Sequence, residues 1–153
     1  MNYYLFIAIL FLFSSCGDSQ ESKYKRAVGH QQNKEYRESN ILLYDIIDSA
    51  DSSDDLKFQS YFLLAQTFYD LKNYKQAIES YRNILSAPLE SPIRKKTLFM
   101  IAYIYYNDLD MYTHSMKYYN IFKEEYPNDE LIAAVEYELE QINDIINKTQ
   151  NNK

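Results

Sequence analysis

Three tyrosines recur at a fixed interval: Tyr36, Tyr74 and Tyr112, each 38 residues after the last. Three residues after each stands a small side chain, Ser39, Ala77 and Ser115. Four further on comes a large one, Leu43, Tyr81 and Tyr119, and three beyond that Ile46, Ile84 and Phe122. Steps of three and four place all of these on one helical face. Four classes of position recurring at one period describe a chain that repeats a supersecondary unit.

A second helical stretch precedes each tyrosine. "KYKRAVGHQQNKEY" holds Ala27 with His30 three later, "YFLLAQTFYDLKNY" holds Ala65 with Phe68, and "LFMIAYIYYNDLDMY" holds Ala102 with Tyr105. Each unit therefore reads as helix, short turn, helix. The small residues let paired helices approach, and the rings three and four away fill the space beside them. With two Gly and three Pro in 153 residues, a strand-and-turn fold is disfavoured and an all-α domain is expected. The 17 Tyr and absence of Trp make phenol rings a main core material.

These residues resemble the tetratricopeptide repeat, whose pattern is W-x2-L-G-x2-Y, then A-x3-F, then P, in about 34 residues. The second unit matches with Tyr61, Leu64, Ala65, Phe68, Ala77, Tyr81 and Ile84, its proline displaced to Pro88. The third carries Leu98, Ile101, Ala102, Tyr105, Ser115, Tyr119, Phe122 and Pro127. The first is degenerate, with Lys23 and Arg26 in apolar places and "NKEYRESNILLYDII" as its clearer half. The resemblance spans Glu21–Asn128. It implies antiparallel helix pairs, about three repeats, in a short right-handed solenoid with a C-terminal capping helix. The 38-residue period implies helices or connections longer than the family norm.

Boundary signals agree. "ADSSDD" sets Ser and Asp at a helix start, and Ser91 precedes Pro92 as cap and first-turn residue. The last helix is expected to begin after Pro127, with Asn128 as cap and Asp129 and Glu130 in its first turn. Its Leu131, Val135, Ile142 and Ile146 share a face, which suits a terminal element with one polar side. The helical domain is expected over 21–148, with a frayed tail over 149–153.

The N-terminus carries a different signal. Leu5–Phe13 reads "LFIAILFLF", nine apolar residues, too short to cross a hydrocarbon core of about 30 Å. It fits the apolar region of a secretory leader. The following "FSSC" at Phe13–Cys16 resembles a bacterial lipobox. That resemblance implies a leader over 1–15, cleavage before Cys16 and a diacylglyceryl thioether on Cys16, with a tether over 16–20. It also accounts for a lone cysteine, which needs no disulfide partner. An ordinary secretory leader, or a helix buried in the domain, remains open. Gly17 rather than Asp after the cysteine implies the outer membrane over the inner, although Asp18 follows one place later.

The residues favour binding over catalysis. A net charge of −6 disfavours sequence-independent nucleic-acid binding, which needs clustered Lys and Arg. His30 and His114 have no motif partner, and Gly17 and Gly29 form no phosphate loop. Asp45, Asp48, Asp51, Asp54 and Asp55 lack the alternating ligands, the Gly and the closing Glu of a calcium loop, so capping and solvation explain them. No cofactor and no metal are implied.

In the tetratricopeptide family the first helix of each pair lines a concave groove. Carried over by repeat phase, this groove presents Gln59, Phe62, Gln66, Tyr69 and Asp70, then Lys96, Phe99, Tyr103 and Tyr106. Such rings and amides suit an extended or helical peptide. Ordinary packing of Phe62, Phe99 and Tyr103 against neighbouring helices is the competing account. The implied function is a membrane-anchored interaction module of the cell envelope with a protein or peptide partner. The alternative is an envelope lipoprotein that captures a glycan through its aromatic surface. Anchor and period together resemble the helical-repeat lipoprotein of the outer-membrane β-barrel assembly machine, shortened from about five repeats to three.

Overall fold

The computed structural model describes residues 18–151. The leader, Cys16 and the first part of the tether lie outside the described residues. Seven α-helices follow one another: α1 (Gln20–Gln32), α2 (Tyr36–Asp48), α3 (Asp54–Asp70), α4 (Tyr74–Arg82), α5 (Pro92–Asn107), α6 (Tyr112–Glu125) and α7 (Ile132–Asn151). A 3-10 turn, Asn83–Ser86, extends α4. No strand occurs among the described residues.

Helices pair α1 with α2, α3 with α4 and α5 with α6. Successive pairs meet through α2–α3 and α4–α5, and α7 packs on α6. The result is an all-α repeat solenoid of three pairs and a terminal helix. The repeated small residues sit at the pair contacts. Ala27, Ala65, Ala102, Ala77, Ser39 and Ser115 are each fully buried. The large residues of the same phase, Leu43, Tyr81, Tyr119, Ile46, Ile84 and Phe122, are buried with them. Two serines add a bond that the alanine of the middle repeat lacks. Ser39 Oγ donates to the Ala27 carbonyl at 2.9 Å, and Ser115 Oγ donates to the Ala102 carbonyl at 2.8 Å.

The turn inside each pair is equally regular. Lys34, Lys72 and Asp110, two residues before the repeated tyrosines, all take left-handed backbone, with φ of 62°, 60° and 53°. The residue after each donates its N–H back across the turn, Glu35 to His30, Asn73 to Phe68 and Met111 to Tyr105, each at 2.8 Å. Non-glycine residues thus close a helix end that usually employs glycine.

The long period has two sources. Five-residue loops, 49–53 and 87–91, separate the pairs, and the first helices of the second and third repeats run to 17 and 16 residues. Ser53 caps α3 by accepting from Leu56 N–H at 3.2 Å. Ser91 precedes Pro92 as expected, but its side chain makes no capping bond. Arg94 pairs bidentately with Glu125 at 2.6 and 2.9 Å, donates to the Leu85 carbonyl, and reaches the Ala87 carbonyl of the 87–91 loop at 3.4 Å.

One terminal expectation needs correction. Asn128 does not cap the last helix, which starts at Ile132. Asp129 organises the turn: it accepts from Leu131 N–H at 3.0 Å and pairs with Lys95 at 2.5 Å, so it is held outside the helix. The last helix runs through Asn151, with Thr149 Oγ1 donating to the Ile145 carbonyl, and residues 152–153 of the expected tail lie outside the described residues. Val135 and Ile142 are buried against the main core, with Leu131, Leu139 and Ile146 packed beside them.

Candidate functional site

The first helices stand side by side, α3 touching both α1 and α5. Between them opens a cavity of about 410 Å³, lined by Gln31 of α1, Gln66, Tyr69 and Asp70 of α3, Tyr81 of α4 and Met100 of α5. Three of the residues assigned to the groove by repeat phase, Gln66, Tyr69 and Asp70, therefore share one concavity. Gln66 and Asp70 are exposed, and Tyr69 is half-buried.

The remaining groove residues fall outside this cavity. Gln59 donates to the Asp55 carboxylate at 2.7 Å within its own helix. Lys96 is exposed near the start of α5. Phe62 meets the buried Tyr81 ring edge-on at 5.3 Å, and Phe99 meets Tyr119 the same way at 5.7 Å. Both phenylalanines pack against the core cluster, so they serve the helix-pair contact. Tyr103 is half-buried. Tyr106 packs on Tyr112 at 6.0 Å, and Glu138 and Tyr137 of α7 raise its pKa by their proximity after burial. The final helix thus flanks the third repeat's end of the groove, and the second repeat's end lies open.

Tyr69 is held from two sides. Its ring packs on Tyr74 at 5.8 Å. Burial, then the Asp108 carboxylate at the end of α5, push its pKa up to about 12. The same carboxylate raises Tyr74. One repeat earlier, Tyr36 Oη donates to Asp70 at 3.3 Å, so the first two turn tyrosines each face an acid 34 residues on, whereas Tyr112 Oη donates to Asp110. At the cavity floor Tyr81 is fully buried, and burial with Asp70 and Tyr69 nearby raises its pKa well above the ordinary phenol value. Its hydroxyl has no hydrogen-bond partner among the described residues.

Repeat phase overlooked Gln31, Tyr81 and Met100. Gln31 stands four after Ala27, as Tyr69 stands four after Ala65, so the signal was present in the degenerate repeat. Tyr81 reads as core by phase and is fully buried, and it also lines the cavity. Met100 carries no such mark. Of the acidic residues, Asp45 of α2 pairs with Lys23 of α1 at 2.5 Å, and Asp55 accepts from Gln59 within α3. His30 Nδ1 lies 2.6 Å from the Glu35 carboxylate across the first turn, and His114 rests on Tyr105 at 5.1 Å. No described helix is long and apolar enough to cross a membrane.

Models of the tetratricopeptide repeat match residues 58–88 and 96–129, the second and third units. The first unit, outside those matches, has the same helix pairing, left-handed turn and serine-to-carbonyl bond as the third. No curated protein matches the chain. Tetratricopeptide repeats, which typically bind protein or peptide partners, are thus detected in the second and third units.

Proposed function

We propose that this repeat protein is a non-catalytic scaffold or adaptor of the bacterial cell envelope, anchored to a membrane and capturing a peptide segment of a partner protein along its first helices. The observation that carries the reading is the convergence of Gln66, Tyr69 and Asp70 in the cavity between α1, α3 and α5. Half-buried rings give contact area at low entropic cost, and neighbouring amides satisfy a peptide backbone. A glycan would call for open ring faces. Tyr69 and Tyr106 instead pack tilted or edge-on against Tyr74 and Tyr112, which favours the peptide.

The anchor rests on the sequence: nine apolar residues, two serines and Cys16. Two or more acyl chains hold a protein stably on a bilayer, whereas one is marginal. Gly17 favours the outer membrane. Resemblance to the helical-repeat lipoprotein of the β-barrel assembly machine suggests one setting, with three repeats in place of five.

The test is capture from envelope extract by the intact protein, in parallel with Tyr69→Ala and Tyr106→Ala. A polypeptide retained by the unaltered protein and lost by the groove variants supports the proposal. A glycan recovered in its place supports the alternative. A polypeptide retained equally by all three moves the binding face off the groove.

A further inference from the structure

We propose that the cavity of the second repeat is a subsite for a basic side chain, a lysine or arginine of the captured peptide, which pairs with Asp70 and hydrogen-bonds the Tyr81 hydroxyl. This deepens the groove reading and rests on it.

Charge decides the class of ligand. Of the six lining residues only Asp70 is charged near neutral pH, and none is basic. Both phenols have raised pKa values and stay neutral. An anionic group entering here would meet an acid and no cation. A cation meets a carboxylate, a phenol hydroxyl and two amide oxygens, a combination suited to ammonium or guanidinium. The cavity's size falls within the range of about 300–1,000 Å³ typical of ligand pockets.

The floor supplies the second, independent observation. A buried hydroxyl without a partner is destabilising, yet Tyr81 keeps its oxygen where phenylalanine would fill the same core space. That oxygen faces Asp70 and Tyr69 without bonding either. An entering N–H donor satisfies it. Asp70 is available for the pairing, because its contact to Tyr36 Oη, at 3.3 Å, is long and the carboxylate is exposed.

The third repeat shows what the arrangement becomes without this role. Asn107 stands in the helix phase of Asp70, and the acid of this repeat, Asp108, lies instead beside Tyr69 and Tyr74. The buried Tyr119 hydroxyl, also unpartnered, has Glu138 of α7 near it.

The test is a nuclear magnetic resonance titration of the intact chain with blocked pentapeptides Ala-Ala-Xaa-Ala-Ala, where Xaa is lysine, arginine, norleucine or glutamate. The lysine or arginine peptide is expected to give saturable shifts at Gln31, Gln66 and Tyr69, weakening as salt rises. Asp70→Asn is expected to weaken that binding at least tenfold and Tyr81→Phe several-fold, both with native helix content. Norleucine or glutamate peptides binding as tightly, or Asp70→Asn binding the basic peptides undiminished, overturns the subsite and leaves the groove as a peptide site. Shifts from none of the four peptides also overturn it, and the envelope capture then judges the groove separately.

Discussion

Ser115 Oγ donates to the Ala102 carbonyl at 2.8 Å, inside a contact where both residues are fully buried. This bond ties the second helix of a repeat to the first at their closest approach. Ser39 and Ala27 reproduce it, whereas the middle repeat has Ala77 and relies on packing alone. Ser115→Ala is therefore a mild change, costing about 1 kcal/mol. Ala65→Leu forces a side chain into a full contact and costs about 1–3 kcal/mol. Lys75→Ala, on the exposed side of α4, shifts stability by less than about 0.5 kcal/mol. Denaturant midpoints of the three variants check the order.

The left-handed turns give a prediction of opposite sign. Lys72 holds φ at 60°, a conformation that costs a side-chain-bearing residue roughly 1–2 kcal/mol and glycine little. Set against the greater freedom glycine gains in the unfolded chain, Lys72→Gly is expected to raise stability by up to about 1 kcal/mol. Lys72→Val, branched at the same place, is expected to lower it. Thermal melts of the pair decide.

These turns mark where the sequence stopped being legible. The periods of Tyr36, Tyr74 and Tyr112, and of the small residues beside them, disclosed helix pairs, their faces and their number, because packing geometry writes itself as spacing. Lys34, Lys72 and Asp110 carry no glycine signature, so the turn conformation was hidden. The start of α7 was misplaced for a similar reason: Asn128 looks like a cap, but the Lys95 pairing of Asp129 delays the helix to Ile132. In the groove, phase located Gln66, Tyr69 and Asp70 on one face. It also assigned Phe62 and Phe99 there, whose rings turn inward onto Tyr81 and Tyr119. Repeat phase specifies a position on the helix, whereas a long side chain chooses its direction from its neighbours.

Asp129 supplies a pH dependence. The Lys95 ammonium and the Leu131 N–H hold its carboxyl below the ordinary aspartate value of 3.8. A depressed folded pKa means that the unfolded chain takes up the proton first, so the contribution is present above pH 3.8 and is lost as acid approaches the folded value. Asp129→Asn is expected to be less stable than the unaltered protein at pH 6 and to converge with it as the pH falls below that range. Equal separation of the two curves at every pH contradicts the assignment. Urea titrations across this range provide the check.

The anchor is tested independently of the fold. Cys16→Ala is expected to abolish incorporation of labelled fatty acid and to release the domain from the membrane fraction, with its helix content unchanged. Equal membrane retention by the variant contradicts the lipoprotein proposal.

The central claim is that a partner lies along the first helices, and a photoreactive amino acid placed in the intact protein tests it most directly. One position is Gln66, exposed at the open cavity; the other is Tyr44, equally solvent-facing on the second helix α2, 47% exposed. Irradiation in the envelope is expected to yield a discrete adduct with a polypeptide from position 66 and none from position 44. Adducts from position 44 alone, or the same adducts from both, would contradict the groove as the binding face.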